Sequence, residues 1–269
     1  MKLVTLAAAI AVASLSVSAQ AYEFKISGDI NIGYFSKADE VQENGSELNF
    51  DVKTKKHNGV VFMAHTELDI NGIYSDDDEP RFEEIRAGAK GKFGEIWFGD
   101  QSNACDKLQK GGDFHKLLGA STNGCKNTPK GTVLYMRKFG GTRVGVSHNP
   151  REDESAIAVR HHVTKKTVVA AGYVVSDGDK FVSVSGTTHI GPATLKTRIR
   201  NQQDGDTIWS VHAKYNVGKN DFYGALEDDD TLSLGYKRKF GRSGFLVEAR
   251  NKDGEGDIEY AVGVTTEWK

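Results

Sequence analysis

Residues Phe24–Phe35 read FKISGDINIGYF, and this stretch decides the fold. Its even positions are apolar or aromatic except for Gly28, and its odd positions are charged, polar or small until Phe35. Because side chains on a strand point alternately to opposite faces, the stretch has one apolar face and one polar face. The alternation returns about every dozen residues to the end of the chain, which predicts a wall with lipid outside and water inside.

The N-terminus predicts a signal peptide over Met1–Ala21. Lys2 supplies the positive charge, Leu3–Val12 the apolar segment, and Ala19-Gln20-Ala21 the small-x-small cleavage site. A retained membrane anchor is the alternative, but the apolar run is shorter than the roughly 20 residues that a transmembrane helix needs. We therefore expect an exported chain in which residues 22–269 form one domain.

The charge balance excludes a nucleic-acid binder. The whole chain has 35 Lys and Arg against 37 Asp and Glu, and removal of Lys2 with the signal peptide leaves a net charge of −3. A mean hydropathy of −0.48 would suggest a soluble protein. However, a β-barrel meets lipid only at alternate residues, so its average hydropathy is diluted by the face that lines the lumen.

The chain has two cysteines, Cys105 and Cys125. In an oxidising compartment two cysteines most simply pair, and closing a loop of about 20 residues would contribute roughly 3 kcal/mol. A free thiol or a metal site would need further partners, and the eight histidines show no ligand spacing. We therefore expect a disulfide, no metal and no cofactor.

The connections between the predicted strands form two classes that alternate along the chain. One class is short and rich in Gly and Lys, as at Asn58-Gly59 and Gly140-Gly141, and the other is acidic, as at Glu40–Glu47 and Asp177–Asp179. Such sorting predicts an all-β, closed antiparallel up-and-down transmembrane β-barrel whose acidic end faces outward. We count sixteen strands, with fourteen as the alternative, and a long third loop at 101–130.

No catalytic arrangement is recognisable. His161 and His162 are adjacent in a predicted strand and therefore point to opposite faces. The chain also lacks the Gly-x-Ser-x-Gly motif of a nucleophile elbow. We therefore expect a protein that is not an enzyme.

Three motifs carry a family resemblance. Ala89–Gly99 reads AKGKFGEIWFG, the long break after it contains Gly111-Gly112-Asp113-Phe114, and Tyr260–Val264 leads to Trp268. The first resembles the hairpin that precedes the constriction loop in the trimeric general porins of Gram-negative outer membranes. The second resembles the acidic tip of that loop. The third resembles the aromatic-ended strand that the assembly machinery of these porins reads. The resemblance covers the whole chain after the signal peptide.

The resemblance implies a water-filled channel for passive diffusion of small hydrophilic solutes and ions across the bacterial outer membrane. It further implies a homotrimer that contacts outer-membrane lipid and lipopolysaccharide and is folded by the barrel-assembly machinery. The loop at 101–130 would fold into the pore, and Asn71–Pro80 would occupy the place of the loop that contacts a neighbouring subunit. A substrate-specific sugar or oligosaccharide channel and a soluble secreted β-rich binding protein are the alternatives.

Extending the alternation of the first strand predicts which charges line the lumen. The expected constriction places wall residues opposite an acidic loop: Asp29, Lys53, His65 and Arg86 against Asp106 and Asp113. A second, basic ladder faces the lumen at Lys196, Arg198 and Arg200. A transverse field between the two sides would select solutes by size and polarity. The alternative is that these are ordinary solvated charges without a shared geometry.

Overall fold

The computed structural model describes residues 22–70, 81–109, 114–119, 125, 130–203, 205, 207–252 and 256–268. These residues form seventeen β-segments and one short helix. The β-segments, in chain order, are β1 (Tyr22–Phe35), β2 (Glu40–Glu43), β3 (Glu47–Thr54), β4 (Val61–Asp69), β5 (Arg81–Gly91), β6 (Gly94–Asp100), β7 (Thr132–Phe139), β8 (Thr142–Asn149), β9 (Glu154–His162), β10 (Thr167–Ser176), β11 (Asp179–Ile190), β12 (Ala193–Gln202), β13 (Thr207–Val217), β14 (Asn220–Glu227), β15 (Leu232–Phe240), β16 (Ser243–Asn251) and β17 (Ile258–Trp268).

The helix, α1 (Ala104–Leu108), lies between β6 and β7. Across the described ranges, no helix combines the length and the apolar character that crossing a bilayer requires.

The strands close into one antiparallel barrel. Each segment pairs with its neighbour in sequence, and β1 pairs with β17 from Gly28↔Trp268 to Phe35↔Ala261. β2 and β3 both pair with β1, so they are two halves of one strand and the seventeen segments make a barrel of sixteen strands. The predicted count and the closed fold are confirmed. Closure leaves no strand edge for lipid to meet.

The second strand is interrupted where the sequence predicted an acidic loop. Residues 44–46 leave the sheet, and Gly45 has a φ of 67°, which only glycine adopts without strain. The Ser46 hydroxyl accepts the Asn31 backbone N–H at 2.8 Å, and the Asn44 N–H donates to the Asn31 carbonyl at 3.0 Å. The prediction of a loop over Glu40–Glu47 is therefore wrong, because Glu40–Glu43 forms β2, the first half of the second strand.

The two faces of the wall differ as the alternation predicted. Large apolar side chains stay exposed on the outside of the barrel, for example Phe24, Phe62, Ile157, Val184 and Leu234. Most inward positions are polar or small, and buried polar residues such as Asn31, Glu248 and Thr265 lie there, whereas inward apolar residues such as Leu246 are buried beneath the segment between β6 and β7. An apolar exterior around a polar interior is the arrangement of a barrel that is solvated by lipid.

The two ends of the barrel use different turn residues for the same backbone shape. At one end the left-handed positions are mostly glycines, including Gly140, Gly191 and Gly218. At the other end they are largely aspartates, at Asp39, Asp153, Asp177 and Asp230. Because aspartate tolerates the left-handed region better than most residues, part of the acidity of this end serves turn formation.

Candidate functional site

Between β6 and β7, the described residues 101–109, 114–119 and 125 lie against the inner wall of the barrel; we call residues 101–130 the inserted loop. Its base is closed where the Gly131 backbone N–H donates to the Asp100 carboxylate at 2.8 Å. The Gln101 side-chain amide donates to the Thr132 carbonyl at 3.1 Å. These two bonds hold the ends of the loop together.

Helix α1 is held to the wall by polar groups at its N-terminus. The Asn103 side chain accepts the Asp106 N–H at 3.0 Å and donates to the Glu154 carboxylate at 2.7 Å. The Ala104 N–H donates to the Ser147 hydroxyl at 2.9 Å. A short helix would fray alone, and these bonds satisfy N–H groups that have no partner within it.

The wall beneath α1 is lined with small residues. A Cβ atom at Gly172 would lie 2.2 Å from the Cys105 sulfur, and one at Gly145 would lie 3.1 Å from Leu108. Ala156 and Ala158 are also buried in this cluster. We call this surface the small-residue floor, since it leaves room for the helix inside the barrel.

Cys105 and Cys125 form a disulfide, as predicted, with their Cα atoms 6.0 Å apart. Cys105 belongs to α1, which lies on the small-residue floor, and Cys125 lies in the returning half of the inserted loop. The disulfide therefore ties the two halves of the loop together.

Beyond α1 the loop continues along β11 and β12. The Gln109 amide donates to the Ser183 carbonyl at 2.8 Å, and the Ser183 hydroxyl donates to the Gln109 side-chain oxygen at 2.7 Å. The Arg198 guanidinium donates to the Gln109 carbonyl at 3.3 Å. Part of the predicted basic ladder thus binds the loop backbone.

The loop then passes β12, β13 and β14 through aromatic contacts. The Phe114 ring lies 4.0 Å from the Lys196 ammonium and 4.9 Å from that of Lys214. His115 packs edge-on against Tyr223 with ring centres 5.0 Å apart. Cations over an aromatic face are attracted to its negative quadrupole, so both lysines help to hold the loop.

The tip of the loop is bound by one carboxylate. Glu248 of β16 is fully buried and accepts the backbone N–H groups of Lys116, Leu117 and Leu118 at 2.8, 2.9 and 2.9 Å. The Tyr223 hydroxyl donates to the same carboxylate at 2.7 Å. Four donors to one buried charge form a strong, directional anchor. We call it the Glu248 anchor.

The tip also packs over the place where the barrel closes. Leu117 is buried in a cluster with Leu246 and Ala261, and Phe35 packs against this cluster. A Cβ atom at Gly33 would lie 3.1 Å from Leu117. Because Phe35 and Gly33 belong to β1 and Ala261 to β17, Leu117 contacts both strands of the closing pair.

Polar contacts complete the seat of the tip. The Lys116 ammonium lies 3.1 Å from the Asp29 carboxylate, and the Asn44 side-chain amide donates to the Leu117 carbonyl. The Arg250 guanidinium donates to the Leu118 carbonyl at 2.8 Å. The interruption in the second strand thus supplies one of the groups that hold the loop.

The wall formed by β3, β4 and β5 carries a compact group of charges opposite α1. His65 Nδ1 lies 3.0 Å from Asp51, and the Arg86 guanidinium lies 3.3 Å from Glu84. Lys107 of α1 reaches across to Glu84 at 2.6 Å. Burial lowers the pKa of the Lys107 ammonium, and the Glu84 carboxylate opposes that shift.

The predicted constriction residues are distributed over different parts of the lumen. His65 and Arg86 lie in the charged group opposite α1, and Arg86 stacks on Trp97 at 4.8 Å. Asp29 is buried under the loop tip, whereas Lys53 is exposed near the end of β3. Asp106 lies within electrostatic range of Arg198, and Arg200 is close to Arg198 as well. Asp113 lies outside the described residues, as do Asn71–Pro80 and the predicted signal peptide, Met1–Ala21.

The charge pattern differs from the expected basic wall facing an acidic loop. In the described residues the loop contributes the cations Lys107 and Lys116, and the wall contributes their partners Glu84 and Asp29. The expected polarity holds where Asp106 faces Arg198 on β12. A period of two predicts the face of a strand on which a side chain lies, but it carries no information about which side chains meet across the barrel.

Glu248, Tyr223 and Lys107 were not singled out from the sequence. Glu248 lies at one of the alternate positions of β16 that face the lumen, so its orientation was predictable from the pattern. Its role was not, because its partners are backbone N–H groups more than a hundred residues away. A buried acceptor of this kind has no signature in residue type or spacing.

Comparison with known proteins identifies a family and similar solved structures. A family model described as Gram-negative porin matches residues 5–268. Among solved structures, in-vitro folded OmpT from Vibrio cholerae, in its trimer form, is similar with a TM-score of 0.74 at 15% identity, over 92% of this chain and 100% of that chain. A triple mutant of Rhodopseudomonas blastica porin gives a TM-score of 0.71 at 12% identity, over 91% and 100%. No curated protein matches the sequence.

Proposed function

Since the chain belongs to the Gram-negative porin family and forms a diffusion channel in the bacterial outer membrane, we propose that the inserted loop limits the size of the solutes that pass through the channel. The solutes that pass would be small and hydrophilic, and size and charge would select them. No energy coupling or cofactor enters this proposal.

The observation that carries the proposal is the attachment of the inserted loop on several sides of the lumen. α1 is bound to β8 and β9 through Ser147 and Glu154, and the tip is bound to β16 through the Glu248 anchor. Lys107 also bridges to the opposite wall at Glu84. A segment held at so many points has little freedom to move aside, so the passage beside it has a fixed width.

The charges beside the loop support passage of polar solutes. We propose that His65 and Arg86, with Asp106 and Asp113 of the loop, line the narrow section. Asp29 would contribute by holding the loop tip through Lys116, and Lys53 by its charge further along the lumen, near the end of β3. Lys196, Arg198 and Arg200 would extend the charged surface along β12. Opposed charges in a narrow lumen order water and disfavour apolar solutes.

A channel specific for sugars is less well supported. Such channels need aromatic faces along the path, but the large aromatic side chains Phe62, Trp209 and Tyr260 are exposed on the outside of the barrel. Among the described lumen residues, Trp97 and Tyr223 are buried. A catalytic function also lacks support, so the proposed channel is not an enzyme.

We further propose that the channel is a homotrimer in contact with outer-membrane lipid and lipopolysaccharide, assembled by the barrel-assembly machinery. The trimer form named for the similar OmpT structure supports the oligomeric part of this proposal. Residues Asn71–Pro80 would contact the neighbouring subunit.

The test combines gel migration with solute uptake. Purified protein should migrate as a large species on SDS gels and shift strongly after boiling. Liposomes that contain the protein are placed in solutions of neutral sugars of increasing size. Their swelling rates should fall steeply as the size of the sugar increases. An absence of the boiling shift would overturn the trimer, and swelling rates independent of solute size would overturn the size limit.

A further inference from the structure

A histidine and two glutamates converge on one point of the lumen wall. His65 Nε2 lies 3.7 Å from a Glu67 carboxylate oxygen and 3.6 Å from Glu84 Oε2. Glu67 and Glu84 are directly opposite each other on β4 and β5, and His65 precedes Glu67 by two positions on the same face. The antiparallel register therefore brings the three side chains together, and we call them the His65 cluster.

The atoms that face the centre of the cluster are buried and unsatisfied. His65 is 9% exposed and Glu84 is 7% exposed. Within the described part of the chain, neither His65 Nε2 nor Glu84 Oε2 has a hydrogen-bond partner. Leaving a buried polar atom without a partner costs roughly 1–3 kcal/mol, and more for a charged group. Glu84 Oε2 has the Arg86 guanidinium as an ion-pair partner at 3.3 Å, so His65 Nε2 is the buried atom aimed at the two carboxylates without a close partner.

The histidine is oriented by a second carboxylate. Its Nδ1 atom lies 3.0 Å from Asp51, so the Nδ1–H donates to Asp51 and Nε2 is directed at the two glutamates. A carboxylate on one ring nitrogen with the other nitrogen left free is the arrangement that orients histidine ligands of metals. The arrangement thus presents a nitrogen ligand towards two carboxylate oxygens.

We propose that the His65 cluster binds one divalent transition-metal ion of the zinc class, through His65 Nε2, Glu67 and Glu84. Bonds of about 2.1 Å at tetrahedral angles place two ligand atoms roughly 3.4 Å apart. The two distances from His65 Nε2 are close to this value, and all three ligand atoms lie within 4.8 Å of one another. Imidazole and carboxylate together suit zinc better than the all-oxygen sites that magnesium and calcium prefer.

Charged groups of both signs surround the cluster. The carboxyl groups of Glu47 and Glu83 lie within electrostatic range of Glu67. Lys107 binds Glu84 Oε1 at 2.6 Å, and the Arg86 guanidinium lies 3.3 Å from Glu84 Oε2, the atom directed at the histidine. A metal ion on Glu84 Oε2 would therefore compete with Arg86 for that oxygen.

A bound metal would change the channel, because the site lies where α1 approaches the wall. It would add two positive charges beside Lys107, in the passage whose width the inserted loop is proposed to set. This consequence rests on the proposed function, whereas binding itself does not. We therefore expect zinc chloride to reduce single-channel conductance and to favour anions in reversal-potential measurements.

The test measures binding directly on the folded protein. Zinc chloride is titrated into detergent-solubilised protein by calorimetry, and cobalt chloride replaces it so that tetrahedral coordination gives a visible absorption band. The wild-type chain should bind one zinc ion per barrel. Glu67→Gln and His65→Gln should each weaken binding by about tenfold or more, because each removes one ligand.

The matched control is His161→Asn, which removes an exposed histidine that contacts Thr142 outside the cluster. It should bind zinc as the wild type does, and the boiling shift on SDS gels verifies that every variant is folded. Absence of saturable binding, or equal binding by Glu67→Gln and the wild type, would overturn the site. Binding without any effect on conductance would leave the site standing and overturn its place in the passage.

Discussion

Glu248 illustrates how one lumen-facing side chain can position a distant loop. Its carboxylate accepts three consecutive backbone N–H groups of residues 116–118 and the Tyr223 hydroxyl. Hydrogen bonds to a charged group contribute about 1.5–3 kcal/mol each, and leaving these donors unpaired in the interior would cost a comparable amount. Glu248 therefore influences the width of the passage by positioning the loop, although the loop lies between this residue and the passage.

Replacing Glu248 should loosen the loop without damage to the barrel. In Glu248→Gln one carboxylate oxygen becomes an NH2 group, which meets at least one backbone N–H of residues 116–118 whichever way the amide turns, so the anchor is weakened. We expect a higher and noisier single-channel conductance, by about 1.5-fold or more if the loop withdraws from the lumen.

The control for this variant is Glu23→Gln, which removes the same charge at an exposed position near the start of β1. It should leave conductance close to that of the wild type. An unchanged, quiet channel in Glu248→Gln would contradict the anchor.

At the scale of elements, two glycines make space for α1. The small-residue floor on β8 and β10 accepts the helix because Gly145 and Gly172 carry no side chains at the points of contact. Glycine is otherwise unfavourable in a strand, because its backbone loses more conformational entropy on folding than that of other residues and it has no side chain to pack. Its presence here reflects the approach of the helix.

Gly172→Val should displace α1 from the wall. The added Cβ would overlap the Cys105 sulfur at 2.2 Å, and overpacking of this kind typically costs 1–3 kcal/mol. We expect a lower yield of the Cys105–Cys125 disulfide, measured by thiol labelling of the denatured protein.

Gly186→Val is the matched control, since a Cβ atom there meets only a Thr197 hydroxyl at 3.3 Å. Complete disulfide formation in Gly172→Val, at the level of this control, would show that the floor tolerates a side chain.

The strands were largely predictable from the sequence, and the reason is physical. Lipid on one side and water on the other impose the alternation on every strand, so segments such as Thr132–Phe139 and Thr207–Val217 begin and end where the pattern does. The interruption at residues 44–46 was not predictable, because it depends on bonds to Asn31 and to the loop tip. Local pattern does not report such tertiary contacts.

For the whole molecule, the barrel and the inserted loop are held by different interactions. The strands are joined by continuous ladders around the ring, whereas the loop is held by side chains and a disulfide. The site was therefore harder to predict than the fold. The period of two predicts which charged side chains face the lumen, but it does not predict which of them pair across the interior, as in Lys107–Glu84 and Lys116–Asp29.

Removal of the disulfide should affect the loop and spare the barrel. In the double variant Cys105→Ser, Cys125→Ser we expect the boiling shift and the β-sheet circular dichroism to persist. Cleavage of the loop by trypsin should become faster, because a crosslink that restricts a loop of this length contributes about 3 kcal/mol. The wild-type protein in dithiothreitol is the parallel arm. Loss of the boiling shift would mean that the loop supports the barrel itself.

The position of Leu117 over the junction of β1 and β17 has a consequence for the order of assembly. Its seat combines Gly33 and Phe35 from the first strand with Ala261 from the last, so the seat does not exist until the two ends of the chain have met. Binding of the loop tip thus depends on closure of the barrel, and the bound tip in turn links the first strand to the last.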